Sequence, residues 1–284
     1  MNKNLFKKRL AKIASYVFSY GFGFLLIYPV LWMVSSAFKN SSEIFTDVSL
    51  MPTVFNFDAF VEGFKGVGNA NFLVFFLNSF KIVIPVVVFT LVSGMVVAYG
   101  FARFNFPGKK LFFGLMIATL MMPTSVLTIP TYVMFNHFGW IDTYLPFIVP
   151  AAFSTSAFFV YMLVQFLRGI PRDLDEAAKI DGCNSFMILV RILVPLCKPV
   201  LFSAAIFRFL WTWNDFFGNL IYINSVNKYP ISLGLRMAID NTAGSVNWSS
   251  IMAMSVISIL PPIILFFSAQ EYFVEGIAAG SVKG

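Results

Sequence analysis

Glu176-Ala177-Ala178-Lys179-Ile180-Asp181-Gly182, with Ile192-Leu193-Val194-Pro195 starting ten residues after Gly182, is a charged, glycine-broken stretch in an otherwise oily chain. It lies in a polar segment of about thirty residues, 168–199, between two apolar runs of membrane-crossing length. That is longer than a connector needs. Pro171 suits the first turn of a helix, where its missing N–H costs nothing. Asp173, Asp175 and Glu176 suit the positive end of the helix dipole. Leu174, Ala177, Ala178 and Ile180 give the helix a mostly small, apolar surface that another protein's backbone can approach closely. Asp181-Gly182 ends it, because glycine readily takes the left-handed cap. A second amphipathic run, Asn184 to Val194, leads to Pro195 and Pro199. The stretch predicts two short helices with a bend at Gly182, lying beneath a membrane and docking another protein.

Composition identifies the solvent. The chain has 284 residues, of which 58% are hydrophobic and only 12% charged, against about 25% charged in a soluble domain. Its mean hydropathy is +0.81, and its 36 Phe side chains lose nothing by facing acyl chains. Six apolar runs are expected to span: roughly Ala14–Ala37, Asn71–Phe101, Leu111–Phe135, Tyr144–Leu167, Val200–Ile223 and Ser250–Phe273. Each meets the requirement of about 20 apolar residues. Pro85 predicts tilt or a kink in the second. Pro123 and Pro130 predict a bent or unwound outer end in the third. The first run is too long for a signal peptide and carries Tyr28, Pro29 and Trp32 in place of a small-residue cleavage site, so it reads as a permanent helix.

The net charge of +7 reports orientation. Basic residues precede the first run (Lys3, Lys7, Lys8, Arg9, Lys12), join the second to the third (Arg103, Lys109, Lys110), join the fourth to the fifth (Arg168, Arg172, Lys179, Arg191, Lys198) and follow the sixth (Lys283). The opposite side holds only Lys39, Lys65, Lys228 and Arg236. Lys and Arg mark the cytoplasmic side, so both termini and the 168–199 segment are expected there. The expected layout is a cytoplasmic N-terminal segment 1–13, a six-helix domain 14–273 and a cytoplasmic tail 274–284. No soluble basic domain exists to bind nucleic acid. The outer segments Phe38–Ala70 and Asn224–Ser249 read as irregular or short-helical, passive or binding.

Several groups bear on chemistry. No phosphate-cradling G-x-x-x-x-G-K-[ST] loop is present, so the chain cannot hydrolyse ATP. Cys183 and Cys197 are expected as free thiols, and with His137 they cannot form a metal site. Arg208 and Asp215 fall in the fifth run, where a charge costs about 2.5–3.5 kcal/mol. They share a helix face about 10 Å apart, so each is expected to meet another helix or a wet cavity rather than the other. Trp211, Trp213, Asn214 and Asn219 accompany them. Asn78, Trp213, Asn214 and Asp215 are candidate pathway-lining residues, with interhelical contact as the alternative. Ser79 is expected to face the channel, Lys81 to snorkel, and His137 to anchor at the interface beside Trp140.

The spaced set Glu176, Ala177, Ala178, Gly182, Ile192, Val194 and Pro195 resembles the signature of permease subunits of binding-protein-dependent ABC importers. Cys183 and Val194 stand where Ala and Leu are usual, both mild departures. Ala98-Tyr99-Gly100-Phe101-Ala102-Arg103, Phe106-Pro107-Gly108, Met122-Pro123, Ile129-Pro130, Ile170-Pro171 and Trp213-Asn214-Asp215-Phe216 are similar to the sugar-importer branch, in particular its smaller, maltose-type subunit. The resemblance covers roughly 71–230. It implies an all-α, six-helix, type I importer permease in a bacterial cell membrane, with 168–199 as a coupling-helix loop. It implies four kinds of partner: a second, related permease subunit, two ATPase subunits holding ATP and Mg, an extracytoplasmic solute-binding protein, and lipid. No cofactor is implied for this chain. Glu176, Ala177, Ala178, Asp181, Gly182, Ile192 and Pro195 are the implied ATPase-coupling residues, Glu176 serving as a polar anchor or simply as a helix cap. By position, the resemblance points 224–249 toward the binding protein and 276–284 toward the ATPases. A sugar or oligosaccharide is the implied cargo; a glycerol-phosphate ester or other polar solute is the alternative. A membrane enzyme lacks converging acids, nucleophile or ligands. An ion-coupled transporter would show more buried carboxylates.

Overall fold

The structure is a computed structural model that describes residues 3–47, 49–66, 70–240 and 246–281; for 3–11, 124 and 271–281 it describes the backbone alone. The tail beyond Ser281, with Lys283, and Asn241 and Gly244 of the second outer segment lie outside the described residues. All regular elements among the described residues are helical. In chain order they are α1 (Lys3–Ser36), α2 (Asp58–Lys65), α3 (Phe72–Arg103), α4 (Lys109–Leu120), α5 (Thr124–His137), α6 (Leu145–Ala152), α7 (Ala157–Gly169) and α8 (Asp173–Ile180). There follow α9 (Ser185–Met187), a π-helical turn (Ile188–Leu193), α10 (Val194–Leu196), α11 (Lys198–Trp213), α12 (Phe217–Tyr222), α13 (Ile231–Asp240) and α14 (Trp248–Ser281).

Apolar length makes the spans. Lys12–Ser36, Phe72–Arg103, Leu145–Gly169 and Trp248–Gln270 are each long and apolar enough to cross a membrane. Two bent helix pairs raise the candidates to six: Lys109–Leu120 with Ser125–His137, and Ser185–Leu196 with Lys198–Trp213. Pro85 sits inside unbroken α3. In the third run the break falls at 121–123, mid-span, and not at the outer end. Pro123, with extended backbone, precedes α5 and has no N–H with which to continue the α4 ladder. Pro130 leaves α5 helical, and beside it the Thr131 hydroxyl donates back to the Leu127 and Thr128 carbonyls.

The chain forms two compact units. The first comprises Met1–Phe72 with Leu235–Ile259. The chain between α1 and α2 turns around Lys39, only 1% exposed, whose Nζ donates to the carbonyls of Asp47 (2.7 Å) and Ser49 (2.6 Å). Phe38 packs there against Phe55, Phe57 and Phe60. The second unit comprises Leu73–Gly234 with Leu260–Gly284. Its main core joins Ala98, Tyr99 and Ala102 of α3, Leu163, Val164 and Leu167 of α7, and Ala178, Ile188, Leu193 and Cys197. Residues of the polar 168–199 segment are thus part of the bundle's own core.

Candidate functional site

The segment that opened the sequence reading forms a helix–turn–helix with defined ends. α8 begins just past Pro171 and has Asp173, Asp175 and Glu176 in its first turn. It ends in a Schellman arrangement: the Gly182 N–H donates to the Lys179 carbonyl (3.0 Å) and the Cys183 N–H to the Ala178 carbonyl (2.9 Å). Gly182 has φ of +82°, which glycine takes without steric cost. Two residues later the Asn184 side chain accepts from the Met187 N–H (2.8 Å) and caps the next helical segment.

The pair has an inner and an outer face. Inward, Ala178, Ile188, Leu189 and Leu193 are buried, and Ile192 packs half-buried against them. Asp175 also turns inward and forms an ion pair with Arg103 at the end of α3, Nε to Oδ2 2.7 Å, with side chains 11% and 7% exposed. Arg103 donates as well to the Ile170 carbonyl (3.0 Å), and Arg172 to the Ala102 carbonyl (3.2 Å). These bonds fix the loop before α8 to the end of α3. Outward, Glu176, Ala177, Asp181, Gly182 and Pro195 are exposed. So are two large apolar side chains, Ile180 at 87% and Phe186 at 71%, with Leu174 and Val190 partly so.

The seven residues singled out from sequence therefore divide. Five face outward, while Ala178 and Ile192 face the core, so Ala178 is not part of the exposed apolar surface expected of it. Two features are visible only in the structure. Asp175 suits the helix dipole, but its charge is matched by Arg103, far away in the chain. Phe186, one residue into α9, is 71% exposed, and nothing in its local sequence marks it as outward-facing.

A second polar locus lies within the bundle. α11 ends at Trp213 and α12 starts at Phe217. In the break between them, the Asp215 carboxylate accepts from the Gly218 N–H (2.9 Å). Asp215, Arg208, Trp211, Thr212, Val86 and Phe147 line a cavity of about 230 Å³. The Arg208 guanidinium lies 5.8 Å from the Phe159 ring centre, and its Nε is buried without a hydrogen-bond partner among the described residues. The other candidates do not join this cavity. Trp213 is buried against Phe76, Phe80 and Phe209. Exposed Asn214 donates to the Leu210 carbonyl (2.9 Å). Asn78 is buried and holds the 227–229 loop, donating to the carbonyls of Asn227 (2.8 Å) and Tyr229 (3.2 Å) and accepting from Lys81 (3.0 Å). Ser79 likewise accepts from the Ile231 N–H (2.9 Å). Among the described residues, no three His, Cys, Asp or Glu side chains group as metal ligands.

Comparison with known proteins matches residues 90–278 to the family described as binding-protein-dependent transport system inner membrane component. The chain belongs to this family. It is 35% identical to the "Probable ABC transporter permease protein YurM" of Bacillus subtilis (strain 168), over 97% of this chain and 90% of that one. It is 31% identical to the "Arabinooligosaccharides transport system permease protein AraQ" of Halalkalibacterium halodurans, over 98% and 100%. Its fold is that of a chain in a bacterial ABC transporter involved in alginate import, at a TM-score of 0.83 and 21% identity, covering 94% of this chain and 98% of that one. This binding-protein-dependent permease is an inner-membrane, multi-pass transporter subunit and not an enzyme, as the resemblance implied.

Proposed function

We propose that this permease forms half of the translocation pathway of an ATP-driven importer for a sugar or oligosaccharide, and that the α8–α10 pair is the surface through which ATPase subunits drive it. The observation that carries the reading is the outer face of that pair: Ile180 and Phe186 point large apolar surfaces at water. A side chain of that size is worth about 1.5–3 kcal/mol when buried by a partner. Moving a conformational equilibrium from 1:99 to 99:1 takes about 5.5 kcal/mol of differential binding, within reach of two such anchors and Glu176. The inner face supports the same reading, because the Arg103–Asp175 pair and the shared core make α8 move with α3 and α7.

In this reading the six spans are α1, α3, α4 with α5, α6 with α7, α11 with α12, and α14. The lysine and arginine asymmetry sets both termini and α8–α10 in the cytoplasm. A second permease subunit of related fold completes the pathway, two ATPase subunits supply ATP and Mg chemistry, and a binding protein delivers the solute. The arabinooligosaccharide and alginate transporters among its relatives support a saccharide cargo. The Arg208–Asp215 cavity is the polar site best placed to line the pathway. The test is reconstitution with the ATPase subunits, second permease and binding protein in proteoliposomes, offered a panel of neutral oligosaccharides. ATP-dependent uptake that vanishes in the Ile180→Asp/Phe186→Asp variant is expected. ATP-independent uptake by this chain alone would overturn the reading.

A further inference from the structure

We infer that this subunit carries a site for the phosphate headgroup of an anionic lipid, at the ends of α3, α4 and α7. Arg103, Lys109, Arg168 and Arg172 line one open cavity of about 430 Å³. The only carboxylate paired with any of them among the described residues is Asp175, which faces Arg103, so the lining keeps a strong positive excess. Each cation has a fixed neighbour, with Arg168 and Arg172 still open to solvent. Arg103 and Arg172 donate to the Ile170 and Ala102 carbonyls, Lys109 donates to the Phe104 carbonyl (2.7 Å), and the Arg168 guanidinium sits 4.7 Å from the Phe113 ring centre.

One further observation points to an anion, and a second selects a lipid. α4 opens with Lys109 and Lys110, has no acidic residue in its first turn and gains no side-chain cap. Cations at a helix N-terminus oppose the dipole, and a bound anion relieves that conflict. Lys109 also lines a second, adjoining groove of about 470 Å³ with Phe106, Lys110 and Leu111. From there Leu111, Phe112 and Leu115 continue along α4 as exposed apolar side chains. A basic pocket leading onto an apolar helix face fits an amphiphile, with its phosphodiester among the arginines and its acyl chains along α4. Basic pockets at the cytoplasmic ends of membrane helices recognise such headgroups.

The experiment measures binding of short-chain phosphatidylglycerol to the detergent-solubilised importer assembly by native mass spectrometry, without ATP or transported solute. Arg168→Gln/Arg172→Gln is expected to weaken binding roughly 25-fold, about fivefold for each charge removed. Lys109→Gln is expected to weaken it about fivefold. Lys65→Gln/Arg236→Gln, at exposed cations elsewhere, is expected to leave it unchanged. Equal affinity for phosphatidylcholine, unchanged affinity in the Arg168/Arg172 variant, or displacement by inorganic phosphate at equal concentration would overturn the lipid assignment. The readout is independent of transport, so its failure leaves the permease reading standing, and the reverse also holds.

Discussion

Removing the Asp175 carboxylate is the sharpest perturbation of the link between the helical pair and the bundle. In Asp175→Ala the Arg103 guanidinium, 7% exposed and 2.7 Å from its partner, stays buried with no opposing charge. Breaking a buried pair from one side costs about 3–5 kcal/mol, whereas replacing both members with apolar residues of similar volume is close to neutral. At the lower figure the equilibrium for detaching α8 shifts more than about 100-fold, since 1.4 kcal/mol is tenfold. The global fold is expected to survive, because α3 and α7 keep their own packing against Leu193, Cys197 and Val200. The assay is amide hydrogen exchange across 173–183 in the intact assembly, which reports local opening of this kind. Asp175→Ala is expected to accelerate exchange there by about 100-fold or more and to lower ATPase stimulation by the binding protein. Arg103→Met/Asp175→Leu is expected to restore most of the protection. Unchanged exchange in the single variant, or a double variant as open as the single one, would refute the claim that this pair fastens α8.

Three other outcomes follow from local geometry. Gly182→Ala is expected to cost about 1 kcal/mol, since its φ of +82° is disfavoured for a side chain while no neighbour occupies the added methyl's place; Gly182→Pro cannot adopt that φ and is expected to abolish ATPase stimulation while membrane insertion, read by fractionation, is unchanged. Lys39→Met leaves the Asp47 and Ser49 carbonyls without their buried donor, at about 1–3 kcal/mol each, and is expected to expose 40–57 to limited proteolysis. Asp142 tests pH dependence: burial raises its pKa, but hydrogen bonds from Lys228, Ser225 and the Asn224 and Ser225 N–H groups outweigh burial and hold it well below the usual carboxylate range. A depressed pKa contributes stability that is complete above the unfolded value of about 3.9 and is lost as pH falls toward the folded one. Exchange protection of 224–228 is therefore expected to be flat from neutral pH to about pH 5 and to fall below about pH 4. In Asp142→Asn, which keeps a residue tolerant of the observed φ of +60°, protection is expected to be lower throughout.

Properties that depend on local sequence were legible in advance. Apolar length located the four unbroken candidate spans, but the fifth run, expected over Val200–Ile223, overlaps only the second half of the bent pair Ser185–Leu196 and Lys198–Trp213; Gly182 marked the bend, because the left-handed cap is set by the residue in place. Pairings between distant segments were not legible. Asp175 sits three residues into a helix, where the dipole alone accounts for an acid; only the fold brings Arg103 beside it. Asn78 and Ser79 read as channel-facing because polar residues in a span need a partner, and the partner proved to be the loop and helix start at 227–231. Trp213 reads from sequence as pathway-lining or as an interhelical contact, and the rings of Phe76, Phe80 and Phe209 that pack against it agree with the second. Pro123 and Pro130 carried the same local signal, yet only Pro123 breaks the chain.

The central claim is that the outer face of α8–α10 meets an ATPase from inside the cell. Single cysteines at Ile180 and Phe186, in a Cys183→Ser/Cys197→Ala background, test it in the assembled importer in whole cells. The account predicts disulfide or short bifunctional crosslinks to the nucleotide-binding subunit, with yields that change on ATP binding. Labelling of either position by a membrane-impermeant maleimide added outside intact cells, with no crosslink to the ATPase, would contradict it.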